Sequence, residues 1–243
     1  VLEILSVDAH DQKYLVFVTD NGIIKKTSVE EYEYINKAGK IALNVREGDE
    51  LFSVKATDGS AKILIGTSNG KICMFDESDV RSMGRTATGV KGVNLDGGKV
   101  IGLATSKEGN MVLTVSSKGI AKLTPIDEYR ETSRGAKGVK TLKESDRTGG
   151  LVTMGVVHGD EQILIITDGG TLMRTSLTQL PTHGRYTSGV KLVTLRDNEN
   201  IASISILPSD ESIDTSAKES DEKAAKEEEQ EESENKIDAA LTE

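Results

Sequence analysis

Four stretches of this chain are copies of one another. "VTDNGIIKK" (18–26), "GTSNGKICM" (66–74), "VSSKGIAKL" (115–123) and "ITDGGTLMR" (166–174) share a glycine at 22, 70, 119 and 170, in steps of 48, 49 and 51. A second glycine recurs at 39, 89, 138 and 189, in steps of 50, 49 and 51. Tyr32, Val80, Tyr129 and Leu180 each follow the first glycine by ten residues. Three registers agreeing over four copies demand like modules packed on like, because one such unit cannot bury its apolar face alone.

Each copy reads as four short strands. A β-branched run such as "YLVFVT" or "QILIIT" meets an Asn-Gly or Gly-Gly connection and a second run follows, which predicts a hairpin with a two-residue primed turn. The polar segments "SVEEY", "DESDV" and "PIDEY" suit a turn or a single helical turn. The second glycine then opens a third strand, with apolar residues two apart at Ile41, Leu43 and Val45, at Val93 and Leu95, and at Val193 and Leu195. "ELFSV", "KVIGLA", "GLVTMGVV" and "NIASISIL" supply a fourth. The prediction is an all-β, propeller-like radial array of about four four-stranded blades, at about 13–60, 61–109, 110–160 and 161–208. With no Trp, and so no Trp-Asp signature, the chain departs from the commonest propellers. "VLEILSV" (1–7) resembles the fourth strand of a unit, so residues 1–12 are expected to end a preceding, truncated blade.

Charge divides the chain unevenly. The net charge of −10 comes entirely from Ser209–Glu243, which holds 14 acidic and 4 basic residues, while the other 208 residues hold 26 of each. This acidic tail is predicted to be disordered, the alternative being a lone charged helix through "KAAKEEEQEE". Cys73 lies in the apolar run "KICMF" and reads as a reduced, buried thiol. No stretch approaches the roughly 18 apolar residues of a membrane span, and the chain is expected to be cytoplasmic. His10, His158 and His183 lack metal-ligand spacing, no glycine-rich phosphate loop precedes a helix, and Asp49-Glu50 falls in a loop. Catalytic, metal and cofactor sites are therefore not expected in this segment.

Cations, by contrast, keep the repeat. Arg85, Arg134 and Arg185 stand four residues before the second glycine, and Lys91, Lys140 and Lys191 two residues after it. The first copy has Ile35 and Ile41 at those places, with Lys37 and Lys40 nearby. Lys25, Lys26, Arg81, Lys122, Arg130, Lys137 and Arg174 add to the set. Equivalent units place equivalent cations at one radial height, so a regular basic band is expected. Charged strand edges also keep sheets from aggregating, which is the competing account of any single one of them. A curved band suits duplex DNA, which carries about one charge per 1.7 Å and binds phosphate-contacting cations through counterion release. Bending DNA round the rim costs about 1–6 kcal/mol per 20–30 bp, an amount that repeated phosphate contacts can offset.

"VTDNGIIKKTSVEEYEYINKAGKIALNVREGDEL" (18–51), "RSMGRTATGVKGVNL" (81–95) and "ITDGGTLMRTSLTQL" with "GRYTSGVKLVTL" (166–195) resemble the C-terminal domain of the DNA gyrase A subunit over nearly all of residues 1–208. The resemblance implies a β-pinwheel that wraps duplex DNA around a basic rim and supports ATP-dependent negative supercoiling. It also implies partners, namely the rest of the gyrase A subunit and the gyrase B subunit in an A2B2 assembly, with ATP and Mg2+ used by other domains. The family's Gln-Arg-Arg-Gly-Gly-Arg-Gly box is not found, "SRGAKGVK" being a distant echo, and it is expected upstream. The strand-cleaving tyrosine domain is not found either, so Tyr14, Tyr32, Tyr34, Tyr129 and Tyr186 are read as packing or rim residues. The segment alone is expected to bind DNA weakly and catalyse nothing. Two other readings stay open at this point: the homologous domain of topoisomerase IV, and a propeller-like protein-interaction scaffold.

Overall fold

The computed structural model describes residues 4–5, 7, 11–34, 37, 39–196 and 199–209. Within them lie β1 (Tyr14–Thr19), β2 (Ile23–Ser28), β3 (Leu51–Thr57), β4 (Lys62–Thr67), β5 (Lys71–Asp76), β6 (Val90–Lys91), β7 (Val100–Thr105) and β8 (Met111–Ser116). They continue as β9 (Ile120–Pro125), β10 (Val139–Lys140), β11 (Leu151–Val157), β12 (Gln162–Thr167), β13 (Leu172–Ser176), β14 (Val190–Lys191) and β15 (Ile201–Leu207). The helical content described is four short 3-10 turns, at Val29–Tyr32, Glu77–Asp79, Ile126–Glu128 and Leu177–Gln179, where the polar segments are expected to turn. Among the described residues, no helix is long and apolar enough to cross a membrane.

The hairpins form where the repeat predicts them, but with a different turn. Three residues, not two, separate β1 from β2, and Gly22 N donates to Thr19 O at 2.9 Å. The same bond recurs from Gly70, Gly119 and Gly170 at 3.0–3.1 Å. Of the turn residues only these glycines have positive φ, at 72° to 79°. Residues with a Cβ keep negative φ and close a type I turn, and one left-handed glycine returns the chain to the ladder. A buried hydroxyl just before the turn assists, since Ile23 N, Ile120 N and Thr171 N donate to the side chains of Thr19, Ser116 and Thr167 at 3.0–3.2 Å.

The sheets are all antiparallel, in the orders β3-β1-β2-β6, β7-β4-β5-β10, β11-β8-β9-β14 and β15-β12-β13. Every exchanged strand therefore leaves its own repeat. β6 belongs to the second copy in sequence but pairs with β2 of the first, β10 with β5, and β14 with β9. The expected third strand is also shorter than its alternating apolar pattern suggests, covering two residues in each of three copies and none at 39–45. Gly92 explains the first of these. It presses on Ile24, where a Cβ would lie 2.9 Å from the isoleucine Cβ, and the chain turns after Lys91 so that Val93 is buried as a loop residue.

The second repeat glycine marks the crossing point. Gly89, Gly138 and Gly189 have φ of 72° to 99°, and a Cβ on each would meet the carbonyl oxygen of Ile24, Ile72 or Ala121 at 2.4–2.5 Å. Only glycine lets the two backbones approach so closely. Gly39 has the same φ, 78°, but nothing within 4 Å.

β3, β7, β11 and β15 pack on one another in succession and form the inner side of the array, and the exchanged strands lie at the opposite edge of their sheets. Apolar clusters fill the sheets and the spaces between neighbours. One joins Val16, Val18 and Ile24 to Ile63, Ile65 and Phe75, a second joins Leu64, Ile72 and Ala104 to Val112 and Val156, and a third joins Leu113 and Leu123 to Ile163 and Ile165. Burying each such side chain stabilises the array by about 1.5–3 kcal/mol. Tyr129, ten residues past Gly119, is buried with its hydroxyl bonded to Thr141. The expected strand at 1–7 falls largely outside the described residues, and Ile4, Leu5 and Val7 carry no regular structure. The tail from residue 210 onward lies outside them too.

Candidate nucleic-acid interface

The exchanged strands carry the repeated lysines. Lys91 pairs with Ile23, Lys140 with Lys71 and Lys191 with Ile120 at the outer edge of three successive sheets, and all three side chains are exposed. Their parity with buried Val93 and Val193 poses no conflict, because the strand stops at the lysine. No ion pair engages Lys91, Lys140 or Lys191 among the described residues. Lys140 Nζ sits 5.4 Å from the ring centroid of Tyr186, which is half exposed.

The repeated arginines lie beside them, one unit on. Arg134 Nη1 donates to Lys91 O at 2.6 Å, and Arg185 Nη1 donates to Lys140 O. Arg85 Nη1 donates to Ile41 O at 3.0 Å, in the copy where isoleucine replaces the lysine. Arg134 and Arg185 thus cap the exchanged strands of the preceding copy and bring a second positive charge to Lys91 and Lys140, whereas Arg85 has no such lysine and lies 3.9 Å from the Glu31 carboxylate. Arg134 spends another donor on Asp79 O at 3.2 Å. A guanidinium has five N–H donors, so each retains several for an external anion.

Other expected cations fall elsewhere. The sequence pattern puts Lys25 and Lys26 on the band, but they are 1% and 6% exposed and cannot touch a phosphate there. Lys25 Nζ donates to Ala42 O at 2.7 Å and to Arg85 O, while Lys26 Nζ reaches Glu77 O at 3.0 Å, 4.9 Å from the Tyr14 ring centroid. β2 is covered by the next copy, so both of its successive lysines turn inward to carbonyls. Lys137 is exposed but paired with Asp96 at 2.8 Å, which also binds Lys71 at 3.0 Å. Hydrogen bonds from those two lysines hold the Asp96 carboxyl down at about 2. Lys40 donates to Glu31 O at 3.1 Å. Arg81 and Arg130 are exposed beside the 3-10 turns, and Arg174 is exposed on β13. Sequence reasoning missed Asp96 as a local counter-charge, although an acid directly after Leu95 was there to be read.

Strand-exchanged antiparallel blades, packed through their inner strands and lined with cations along the outer edge, define a β-propeller of the pinwheel kind. The chain belongs to the family described as DNA gyrase C-terminal domain, beta-propeller, whose model matches residues 13–58, 61–107, 110–158 and 161–208. It is 49% identical over 207 residues to the DNA gyrase A subunit of Ureaplasma parvum, covering 85% of this chain and 25% of that one. It is 45% identical over 207 residues to the same subunit of Mycoplasma genitalium, with the same coverage. The chain thus spans about a quarter of the length of the curated relatives it matches. Among solved structures, a DNA gyrase A C-terminal domain superposes with a TM-score of 0.72 at 25% identity, over 83% of this chain and 68% of that one. The C-terminal domain of a DNA topoisomerase IV gives 0.76 at 24% identity, over 84% and 65%, a likeness of fold.

Proposed function

We propose that this chain is the DNA-binding and DNA-wrapping portion of a gyrase A subunit, bending duplex DNA around its outer edge to support ATP-dependent negative supercoiling. In this reading it works in the cytoplasm with the rest of its own subunit and with the gyrase B subunit in an A2B2 assembly, and ATP and Mg2+ are used by other domains. One observation carries it: exposed lysines recur on the exchanged edge strands of three successive blades, two of them with the next copy's arginine on their own carbonyl. Phosphates along a duplex present uniform charge, and a repeated cation contacts them without reading bases. Strands that swap between blades keep the cation spacing rigid, so the protein imposes its curvature on the DNA.

The test is a salt titration of duplex binding with Lys91, Lys140 and Lys191 all changed to glutamate. Affinity should drop at low salt, and the slope of log K against log salt should shrink by about 0.9 for every phosphate that is no longer neutralised. An unchanged slope and affinity would reject the reading.

A further inference from the structure

Three residues after the first repeat glycine stand Lys25, Cys73, Lys122 and Met173. Two of these four equivalent positions hold a lysine inside the protein, 1% and 0% exposed. Lys122 Nζ donates to Gly184 O at 2.9 Å, to Arg185 O, and to Thr187 Oγ1 at 3.3 Å. An ammonium has three N–H donors, and three acceptors of one loop meet them. Lys25 Nζ repeats this towards the second copy, donating to Arg85 O and to Ala42 O, with the Phe17 ring centroid 5.6 Å away. In both blades the side chain captures the backbone of a repeated arginine.

We propose that Lys25 and Lys122 are positioning residues for DNA binding: from inside the protein they fix the backbone of Arg85 and Arg185, so that each guanidinium is held at the outer edge. The proposal rests on the DNA-binding reading above. Arg185 is held at three points. Glu128 Oε2 accepts from its N–H at 2.6 Å, Lys122 binds its carbonyl, and its guanidinium bonds to Lys140 O. One buried cation thereby ties blade three to the arriving loop and, through that loop, to the edge strand of blade two. A buried charge is retained only where hydrogen bonds offset its desolvation, and here the offset comes from the loop that carries the arginine. Packing alone does not call for an ammonium, since methionine and cysteine stand at the equivalent positions. In blade two the Cys73 thiol meets Thr132 Oγ1 at 3.4 Å and Ser133 O at 4.0 Å, a weaker hold beside Arg134.

Lys122→Met, with Lys122→Cys as the second variant should the first not fold, places a residue that the repeat already tolerates there. Two readings are taken on the whole chain: amide hydrogen exchange at 184–188, and the salt dependence of binding to a short duplex. The expected result is faster exchange in that loop and a salt slope lower by about one, with no further loss when Lys122→Met is added to Arg185→Ala. Unchanged exchange at 184–188 would overturn the proposal. So would additive losses in the double variant, or full DNA affinity despite a loosened loop while the Lys91, Lys140 and Lys191 reversal weakens binding. If that reversal has no effect, the DNA reading itself fails, and the exchange measurement still decides whether Lys122 anchors the loop.

Discussion

Lys25 and Lys122 show how far a side chain's surroundings can override its type. Both would ordinarily titrate at 10.5, and burial lowers each to about 8. The Arg85 charge adds to the lowering at Lys25 and the Arg185 charge at Lys122, while Glu31 and Glu128 oppose it respectively. Below pH 8 the folded and unfolded chains both carry these protons. Between 8 and 10.5 the unfolded chain keeps protons that the folded chain has released, so the stability contributed by these groups rises with pH across that window. Tyr129, pushed up to about 12 by burial, acts in the opposite sense above 10. Urea unfolding at pH 7.5 and 9.5 should therefore show a gain for the native chain that is smaller in a Lys25→Met, Lys122→Met double variant. Equal gains would mean that neither lysine is perturbed.

At the level of the element, the glycine at 89, 138 and 189 does two jobs that its spacing alone does not reveal. It takes a left-handed φ, and it lets one copy's edge strand touch the backbone of the preceding blade. Gly39 performs only the first, which makes it a control. Gly138→Ala sets a Cβ 2.4 Å from Ile72 O as well as straining φ, and should cost more than about 3 kcal/mol. Gly39→Ala should cost only about 1 kcal/mol. Denaturant midpoints giving the two variants the same loss would show that the close approach contributes nothing. The strands and hairpins were legible because β-branched runs, turn glycines and the fourfold register all pointed one way. Exchange between blades was not, because pairing in a sheet is decided by backbone bonds that leave no mark on side-chain alternation. The exchanged strands β6, β10 and β14 each pair with only two residues of a six-residue neighbour. The candidate interface was legible in part for the same reason. Lys91, Lys140 and Lys191 could be read from register, whereas the burial of Lys25 and Lys26 depends on Arg85 and Glu77, 60 and 51 residues further on.

Taken whole, the molecule is a chain of modules in which each of the first three blades is finished by the next copy. Ile24, Ile72, Ala121 and Leu172 occupy one repeat position, two residues past the first glycine. Val90, Val139 and Val190 of the exchanged strands pair with the first three, which are 0%, 0% and 1% exposed. Among the described residues no strand lies against the outer edge of β13, and Leu172 is 62% exposed. The side chains at 72 and 172 have the same number of carbons and similar local sequence, so the difference belongs to the array and not to the residue. Stability in such a series is a sum of module and neighbour terms. Ile72→Ala should accordingly cost about 2–5 kcal/mol, through reduced burial and a cavity beneath the exchanged strand. Leu172→Ala should stay within about 0.5–1 kcal/mol, as an exposed position does. Chemical denaturation of the two variants checks this, and hydrogen exchange should agree, with 170–175 exchanging well before 70–75. Matching losses at both positions would mean that something other than the neighbouring copy covers these side chains, and the modular account of the array would fall with that result.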